Sequence, residues 1–494
     1  MTPTAPARVR YAPSPTGRTH IGGVRTALYD FLLARQTGGQ FILRIEDTDV
    51  KRLVPGAEAE IMESLRWLGL DWDEGPDVGG AAGPYRQSER AAIYQEHARR
   101  LVQLGAAYPC FCSPERLAQM RQEQQKRKEP PHYDGLCRRL APSESQARID
   151  RGEKHVIRFR SPEDGTTTAV DLLRGPITVE NSTIDDYVLL KSDGLPVYHL
   201  AAMVDDHLMG ITHVLRSSEW LPTFPLHVLV VRALGWTEPT WVHLSVFLSP
   251  TGKGKMSKRQ AVDTKGGAKS IYALDLRDLG YLPEAVVNWL ALMGWSYDDR
   301  TEMFAMDDLI QKFSLEKLNA SPAAVNFTKL DHFNGIYTRA LSNEDLAARL
   351  GPVFAQAGLK ADREALVRIA PSIRERIRTL DEAVEIAGFF FRDKVEPSAE
   401  ALIGRNMTAE ASRAALLAAE ARIASATDVG GKDLEQELRS LAAELGLEPG
   451  QLFGLLRMAV TGQPVSPPLF ETMEFVGKET VLARLRRAAE LLAQ

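Results

Sequence analysis

Two short segments carry residue types that handle phosphate groups. The first is HIGG at residues 20–23, where the loop after a predicted strand becomes a helix. Free amides and the positive dipole end of a helix attract phosphate, and a histidine can hydrogen-bond a phosphate oxygen. Gly22 lacks a Cβ and lets a flat base or a ribose lie close to the backbone. Taken alone, the segment is weak evidence, because it is more often a helix cap with an unrelated histidine, here at position 20.

The second segment is KGKMSKR at residues 253–259, a cationic loop that follows a predicted strand. Cations that close on a polyphosphate stabilise the charge that develops as pyrophosphate leaves, by roughly 3 kcal/mol for each well-placed group. A lysine cluster is usually a solvated surface. This loop, however, follows a strand of the same predicted sheet, which brings it over the same crevice as His20, and the pair of segments is more specific than either one.

The elements around HIGG predict how these residues are positioned. Alternation over 9–11 and 41–46 predicts two strands, and apolar residues spaced by three and four over 21–32 predict a helix between them. Such a crossover is nearly always right-handed, so the two strands are parallel and the loops after them meet at one edge. We therefore expect Ser14 and Glu46 to face one crevice.

The predicted secondary structure changes twice along the rest of the chain. Residues at about 75–200 predict an inserted α+β subdomain, after which strands at 211–216 and 242–248 resume the sheet. Beyond residue 331 only helical spacing remains. The predicted fold is α/β, a Rossmann-like domain with a parallel sheet over residues 1–330, followed by an all-helical module over 331–494.

Composition limits the class of protein. The chain has 494 residues, a formal charge of -5, 44% hydrophobic and 25% charged residues, which predicts a globular protein of two to four domains. Nucleic-acid binding would require local basic surface. Three cysteines fit a reducing cytosol better than a disulfide framework. Because no secretory signal or run of about 20 apolar residues is readable, we expect a soluble cytoplasmic protein without a membrane span.

The two segments, in this order, resemble the HIGH and KMSKS signatures of class I aminoacyl-tRNA synthetases. Gly23 replaces the second histidine of HIGH, as is common in the glutamyl and glutaminyl branch. Four further stretches resemble that branch, and together the motifs span the N-terminal two-thirds of the chain. They are RYAPSPTG at 10–17, RIEDTD at 44–49, YHL at 198–200 and VDDHLMG at 204–210.

Resemblance to glutamyl-tRNA synthetases implies that ATP and L-glutamate form glutamyl-adenylate, which is transferred to the 3′ end of tRNA(Glu) with release of AMP and pyrophosphate. His20, Lys255 and Lys258 are the implied catalytic residues. The residues implied to surround the amino acid are Arg10, Ala12, Ser14, Glu46, Tyr198 and Arg216. Those implied to contact ATP are His20, Gly22, Trp220, Lys255, Ser257 and Lys258.

The chemistry of the amino-acid set agrees with this implication. Arg10 and Arg216 can bind a carboxylate bidentately, Tyr198 can donate its hydroxyl, and Glu46 can hold an α-ammonium group. The alternative is that Arg10 and Glu46 simply pair with one another. Ala202 stands where related sequences often have asparagine, so one hydrogen bond to the substrate is missing or supplied elsewhere.

The resemblance also implies further partners and regions. ATP would bring Mg²⁺, held chiefly by its phosphates, and tRNA would bind before activation. Residues at about 250–330 would contact the tRNA stem, and 331–494 would bind the anticodon. Glutaminyl enzymes carry β-barrels there, so the helical module favours the glutamyl branch. We expect a monomer.

The helical module contains two runs of arginines. Such runs are usually solvated helix faces, but in a tRNA-binding protein they become candidates for contacts with the tRNA backbone. They comprise Arg374, Arg376, Arg378, Arg484, Arg486 and Arg487.

A zinc site is a further candidate. Cys110, Cys112, Tyr133 and Cys137 can supply three thiolates and a phenol. Some relatives have a histidine where Arg139 stands, and others bind no zinc, so this question stays open.

Three other classes of protein compete with this interpretation. A silent tRNA-binding paralogue conflicts with the intact His20, Glu46, Arg216 and Lys258. A tRNA-modifying glutamyl transferase would lack the long C-terminal module. A nicotinamide-dependent enzyme would need a Gly-x-Gly-x-x-Gly turn after the first strand, which is missing. Whether tRNA(Gln) is also charged stays open, because that depends on anticodon contacts.

Overall fold

The computed structural model describes residues 5–252, 254, 256, 262–264, 267–392 and 394–493. The chain divides into two compact units. The first comprises Met1–Leu276 and Val286–Phe327, and the second comprises Arg277–Ala285 and Thr328–Gln494. Each unit has its own buried apolar core.

The strands of the described residues all belong to the first unit. They are β1 (Arg8–Tyr11), β2 (Gln40–Leu43), β3 (Ala107–Cys110), β4 (Val156–Phe159), β5 (Thr166–Asp171), β6 (Gly175–Glu180), β7 (Val188–Leu190), β8 (His213–Ser217), β9 (Thr240–Leu244), β10 (Phe247–Leu248), β11 (Val262–Thr264), β12 (Gly267–Lys269) and β13 (Ala323–Ala324).

A parallel core sheet confirms the predicted α/β fold. β1 and β2 pair in parallel, and so do β8, β9 and β5, with β6 antiparallel at one edge. The amide of Thr212 donates to the carbonyl of Arg8 over 2.9 Å, which holds β1 beside β8. After β1 and β2, the amide of Glu46 donates to the carbonyl of Pro13 over 2.9 Å. The two loops therefore meet at one edge of the sheet.

Two strand predictions were too long. The strand predicted over 41–46 ends at Leu43, after which the amide of Ile45 bonds to the carbonyl of Tyr85 instead of to β1. The strand predicted over 242–248 breaks after Leu244, because Phe247 turns to pair with β13. Period-two alternation continues through both breaks and does not show a change of partner strand.

Ten α-helices are described up to residue 312. They are α1 (Ile21–Thr37), α2 (Ala57–Trp67), α3 (Ala91–Gln103), α4 (Pro114–Lys126), α5 (Pro142–Asp150), α6 (Tyr198–Leu208), α7 (Phe224–Ala233), α8 (Ala273–Asp278), α9 (Pro283–Ala291) and α10 (Met306–Lys312).

Helix α1 begins where the apolar spacing predicts and ends at a glycine. His20 caps it, with Nδ1 accepting from the amide of Gly22 at 2.9 Å. At the other end Gly38 adopts a left-handed conformation with φ 64°, which glycine does without steric cost. The apolar stripe of α1 is buried, so HIGG is fixed at the edge where the loops meet.

The region predicted as an insertion contributes to two sheets. β3, β4 and β7 form a separate antiparallel sheet. The β5–β6 hairpin instead joins the core sheet, through the pair Asp171 and Trp241 on β5 and β9. This hairpin therefore brings Asp171 beside the strands that end at the site.

Among its described residues the second unit contains helices and no strands, as predicted, and two groups of these helices each surround an apolar core. They are α11 (Phe327–Ala340), α12 (Asn343–Gln356), α13 (Arg363–Arg374), α14 (Glu382–Ala387), α15 (Ala409–Ser425), α16 (Lys432–Glu444), α17 (Pro449–Thr461), α18 (Leu469–Val476) and α19 (Lys478–Leu491). Across the described residues, no helix is both long enough and apolar enough to cross a bilayer.

Candidate active site

A cavity of about 550 Å³ opens at the carboxyl edge of the parallel strands. HIGG forms one wall, since His20 and Gly22 lie at the start of α1. The residues that line the cavity are His20, Gly22, Gly23, Arg25, Thr26, Ser217, Glu219, Ser245, Val246, Phe247 and Met256.

The structure explains the glycine at position 23. A Cβ on Gly23 would lie 2.6 Å from the hydroxyl oxygen of Tyr11, which is buried on β1. Any side chain there would require Tyr11 to move. The second histidine of the HIGH signature would therefore clash with Tyr11 as it is packed here.

The second phosphate-handling segment reaches the same cavity. Met256 lines it, and the amide of Met256 donates to the carbonyl of Phe247 over 2.9 Å. The predicted ligands Lys255, Ser257 and Lys258 lie outside the described residues. Met256, the central residue of KGKMSKR, thus lines the same cavity as His20, where a loop following a strand of the same sheet was expected.

Beside the cavity lies a buried cluster of charges. Arg10 donates from Nε to Asp206 at 2.9 Å, and Arg44 lies 2.8 Å from the same carboxylate. Glu46 accepts from Arg44 at 3.4 Å, so the alternative pairing of Arg10 with Glu46 is wrong. Burial raises the pKa of Glu46 to about 7, although Arg44 and Arg10 oppose this shift. A carboxylate substrate at Arg10 would share its guanidinium with Asp206.

Three further predicted residues form a second part of this cluster. Tyr198, at the start of α6, stacks on Trp220 with ring centroids 3.8 Å apart. The hydroxyl of Tyr198 accepts from Arg216 at 3.4 Å. Trp220, expected on the nucleotide side, thus packs against a residue expected to contact the amino acid.

The remaining predicted positions offer little side-chain chemistry. Ala12 is half-buried and Ser14 is exposed, both in the loop after β1. Ala202 is fully buried in α6. Its methyl group offers no hydrogen bond where an asparagine would.

Several cavity residues were missed by sequence reasoning. Arg25 lies one helical turn beyond Gly22, and its guanidinium stacks 4.2 Å from the centroid of Phe247. It also donates to the carbonyls of Met293, at 2.7 Å, and Ser245. The spacing of three from Gly22 could have indicated Arg25, whereas Phe247 and Glu219 require the folded chain.

The predicted metal ligands come together in the first unit. The sulfur atoms of Cys110, Cys112 and Cys137 all lie within 4.8 Å of one another. The hydroxyl of Tyr133 lies 3.4 Å from Cys110 Sγ and 3.3 Å from Cys112 Sγ. Arg139 instead donates to the carbonyl of Asp134 over 3.0 Å.

The arginine runs of the second unit mostly have partners. Arg484 is buried and donates to the carbonyls of Val460, Phe389 and Arg392, so its interpretation as a surface contact for tRNA is wrong. The exposed arginines pair with side chains, such as Arg378 with Glu382 and Arg486 with Glu420.

Comparison with known families agrees with this architecture. Residues 6–332 match the family described as tRNA synthetases class I (E and Q), catalytic domain, and residues 345–489 match an anticodon binding domain. Fold, site and both matches define a class I tRNA synthetase.

Full-length relatives narrow the family. A glutamate–tRNA ligase of Dehalococcoides mccartyi is 48% identical over 99% of each chain. One of Borreliella burgdorferi is 42% identical over 98% of this chain and 99% of its own. A crystal structure of a glutamate tRNA ligase from Elizabethkingia meningosepticum, in complex with its amino acid, matches with a TM-score of 0.85 and 36% identity, covering 99% of this chain and 100% of that one. The chain belongs to the glutamate–tRNA ligase family.

Proposed function

We propose that this chain ligates L-glutamate to the 3′ end of tRNA(Glu) with ATP, through a glutamyl-adenylate. Full-length relatives named for this reaction support the proposal. One structural observation carries it. The guanidinium of Arg216, the hydroxyl of Tyr198 and the carboxylate of Glu46 are buried together beside the cavity that HIGG lines.

The amino-acid side of the site matches glutamate in charge. Arg216 and Tyr198 bind the side-chain carboxylate, and Glu46 holds the α-ammonium group. Arg10, already bound to Asp206, adds positive potential for a carboxylate. Ala12 and Ser14 form the rim of this pocket from the loop after β1.

The nucleotide side uses HIGG and KGKMSKR. His20 and Gly22, which line the cavity at the start of α1, contact ATP. Trp220, which stacks on Tyr198, lies between the amino acid and the nucleotide. Lys255, Ser257 and Lys258 bind the phosphates. Class I synthetases use ATP with Mg²⁺, which neutralises phosphate charge when bound.

In the first step an oxygen of the α-carboxylate of glutamate attacks the α-phosphorus of ATP, and the bond between that phosphorus and the pyrophosphate oxygen breaks. A ribose hydroxyl of the tRNA then attacks the carbonyl carbon of the adenylate, AMP leaves with the bonding electrons, and the hydroxyl proton passes to a phosphate oxygen of the departing AMP. Positioning and charge stabilisation are sufficient for both steps.

The proposed reaction assigns a role to each region of the chain. Residues 1–330 form the catalytic domain, with an acceptor-binding insertion at about 75–200 and a stem-contact region at about 250–330. Residues 331–494 bind the anticodon. The enzyme works in the cytoplasm, where its tRNA and ATP are available, and as a monomer.

We propose that Cys110, Cys112, Cys137 and Tyr133 bind zinc. A tetrahedral zinc with Zn–S distances of about 2.3 Å separates its sulfur ligands by about 3.8 Å, and Cys112 Sγ lies 3.6 Å from Cys137 Sγ. The hydrogen bond between Cys137 and Cys110 lowers the pKa of the Cys110 thiol and raises the pKa of the Cys137 thiol, so it favours the thiolate at Cys110 alone. Thiolates are the form that binds zinc. Elemental analysis of parent and Cys112→Ser proteins tests this, with about one zinc per parent chain expected and none in the variant.

Aminoacylation with labelled glutamate and ATP, on purified tRNA(Glu) and tRNA(Gln) in parallel, tests the proposed function. Charging of tRNA(Glu) is the expected result. Charging of both tRNAs would identify a relaxed enzyme, and charging of neither by folded protein would favour a silent paralogue.

A further inference from the structure

Arg216 is a buried cation whose hydrogen-bond acceptors are uncharged. Its Nε donates to Nε2 of His243 at 3.0 Å, and one Nη bonds to Nδ1 of His227 at 3.0 Å. The other Nη donates to the hydroxyl of Tyr198 at 3.4 Å. Among the described residues, no carboxylate forms an ion pair with it, whereas Asp206 pairs with both Arg10 and Arg44. Arg216 therefore keeps its positive charge available for a ligand.

Asp171 fixes the tautomer of His243. Since a guanidinium only donates, Nε2 of His243 must accept, and the ring proton lies on Nδ1. Nδ1 is 2.7 Å from Oδ2 of Asp171, and both side chains are fully buried. Asp171 is held in turn by the backbone amides of Leu173 and Arg174, at 3.1 and 3.0 Å. The carboxylate thus orients the imidazole without touching Arg216.

His227 is oriented from the opposite side by a second histidine. Its Nδ1 accepts from Arg216, so its proton lies on Nε2, which is 2.9 Å from Nδ1 of His199. Burial is the largest effect on all three histidines and lowers the pKa of His199 to about 4, of His227 well below its usual value, and of His243. Near neutral pH all three imidazole rings are therefore uncharged. Each then has one nitrogen that donates and one that accepts, as these hydrogen bonds require.

We propose that His243, held by Asp171, and His227 are positioning residues that aim the Arg216 guanidinium at the side-chain carboxylate of glutamate without neutralising it. This rests on the proposed function. A carboxylate in direct contact with Arg216 would compete with the substrate, and neutral imidazoles do not. An amide side chain would leave the buried cation without a counter-charge, so the arrangement selects glutamate over glutamine.

Paired substitutions test the proposal. His243→Gln retains an acceptor for Arg216 Nε, and His243→Leu removes it. His227→Asn and His227→Leu form the same pair for the Nη contact. His213→Leu is the matched control, because His213 lies on β8 with Arg216 but hydrogen-bonds Thr212. The assay is aminoacylation, with KM measured separately for L-glutamate and ATP and with glutamine as a competing amino acid.

We expect each Leu variant to raise KM for glutamate on the order of 10- to 100-fold, the range for a lost hydrogen bond to a charged group. The Gln and Asn variants should stay within about threefold of the parent, and KM for ATP within about twofold throughout. Glutamine should compete better in the Leu variants. Equal effects of the paired variants, or parallel rises in both KM values, would overturn the proposal.

Thermal unfolding monitored by circular dichroism identifies variants that retain the fold. If His243→Leu unfolds, the His227 pair decides between the same two outcomes. A parent protein that charges no tRNA with glutamate would overturn the proposed function and this inference with it. A parent that charges normally while its paired variants behave alike would overturn the inference alone.

Discussion

Arg216 in the first unit and Arg484 in the second are both buried arginines, yet their guanidinium groups meet different acceptors. Arg216 bonds to the side chains of His243, His227 and Tyr198. Arg484 bonds to three backbone carbonyls at 2.8 to 3.1 Å. Backbone acceptors tie helices together, whereas side-chain acceptors beside a cavity orient a charge for a ligand. The acceptors of a buried arginine therefore indicate its role better than its burial does.

Arg216→Leu should have the largest effect on activity of the substitutions considered. Removing the cation that faces the glutamate side chain should lower kcat/KM for glutamate on the order of 10⁴-fold, the range for a site that loses its paired polar group. The measurement is steady-state charging of tRNA(Glu) with varied glutamate. A loss below about tenfold, in folded protein, would mean that another group binds the side-chain carboxylate.

Lys258→Ala tests whether a lysine of the KGKMSKR loop acts in catalysis, in contrast to Arg216, which binds the amino acid. We expect adenylate formation to slow roughly 10²- to 10³-fold, because the lysine stabilises charge on the departing pyrophosphate. Affinity for tRNA should stay within about twofold, measured by filter binding. Activity equal to that of the parent would remove Lys258 from the catalytic set.

Arg484→Met should affect stability instead of activity. Two buried carbonyls and one part-buried carbonyl would lose their donor, which should cost about 3 kcal/mol of the free energy of unfolding. Denaturant unfolding measures this cost, and KM for glutamate should not change. If glutamate affinity fell while stability held, the distinction between the two arginines would be wrong.

Among the substitutions at the site, Glu46→Gln should have the smallest effect on activity, and it should change how KM for glutamate depends on pH. Burial raises the pKa of Glu46 to about 7, so the carboxylate is ionised above that pH and protonated below it. Because only the ionised form attracts the α-ammonium group, KM for glutamate should rise in the parent as pH falls from 8 to 6. The variant should show about tenfold higher KM at pH 8 and a flatter profile. Identical profiles would exclude Glu46 from this role.

Local sequence patterns predicted much of the fold around the site. The stripe of α1, its cap at His20 and its end at Gly38 follow from spacing and residue type. Strand lengths near Leu43 and Leu244 did not, because partner exchange is set by distant segments such as β13.

The site was predictable to the extent that its residues lie in recognisable motifs. Arg10, Glu46 and Tyr198 were named from such motifs, and the folded chain brings them together. Asp171, His227 and His243 were not, because each comes from a different element and meets Arg216 only across the folded sheet. A lone buried histidine in a sequence carries no sign of what it contacts.

A crystal structure of the protein with bound L-glutamate would show directly how Arg216 meets the substrate. We expect the side-chain carboxylate of glutamate within hydrogen-bond distance of the Arg216 guanidinium, with His243 and His227 still bound to that group and Glu46 at the α-ammonium. A glutamate whose side chain lies away from Arg216, or an Arg216 that leaves its histidine partners to reach it, would contradict the role proposed for the two histidines.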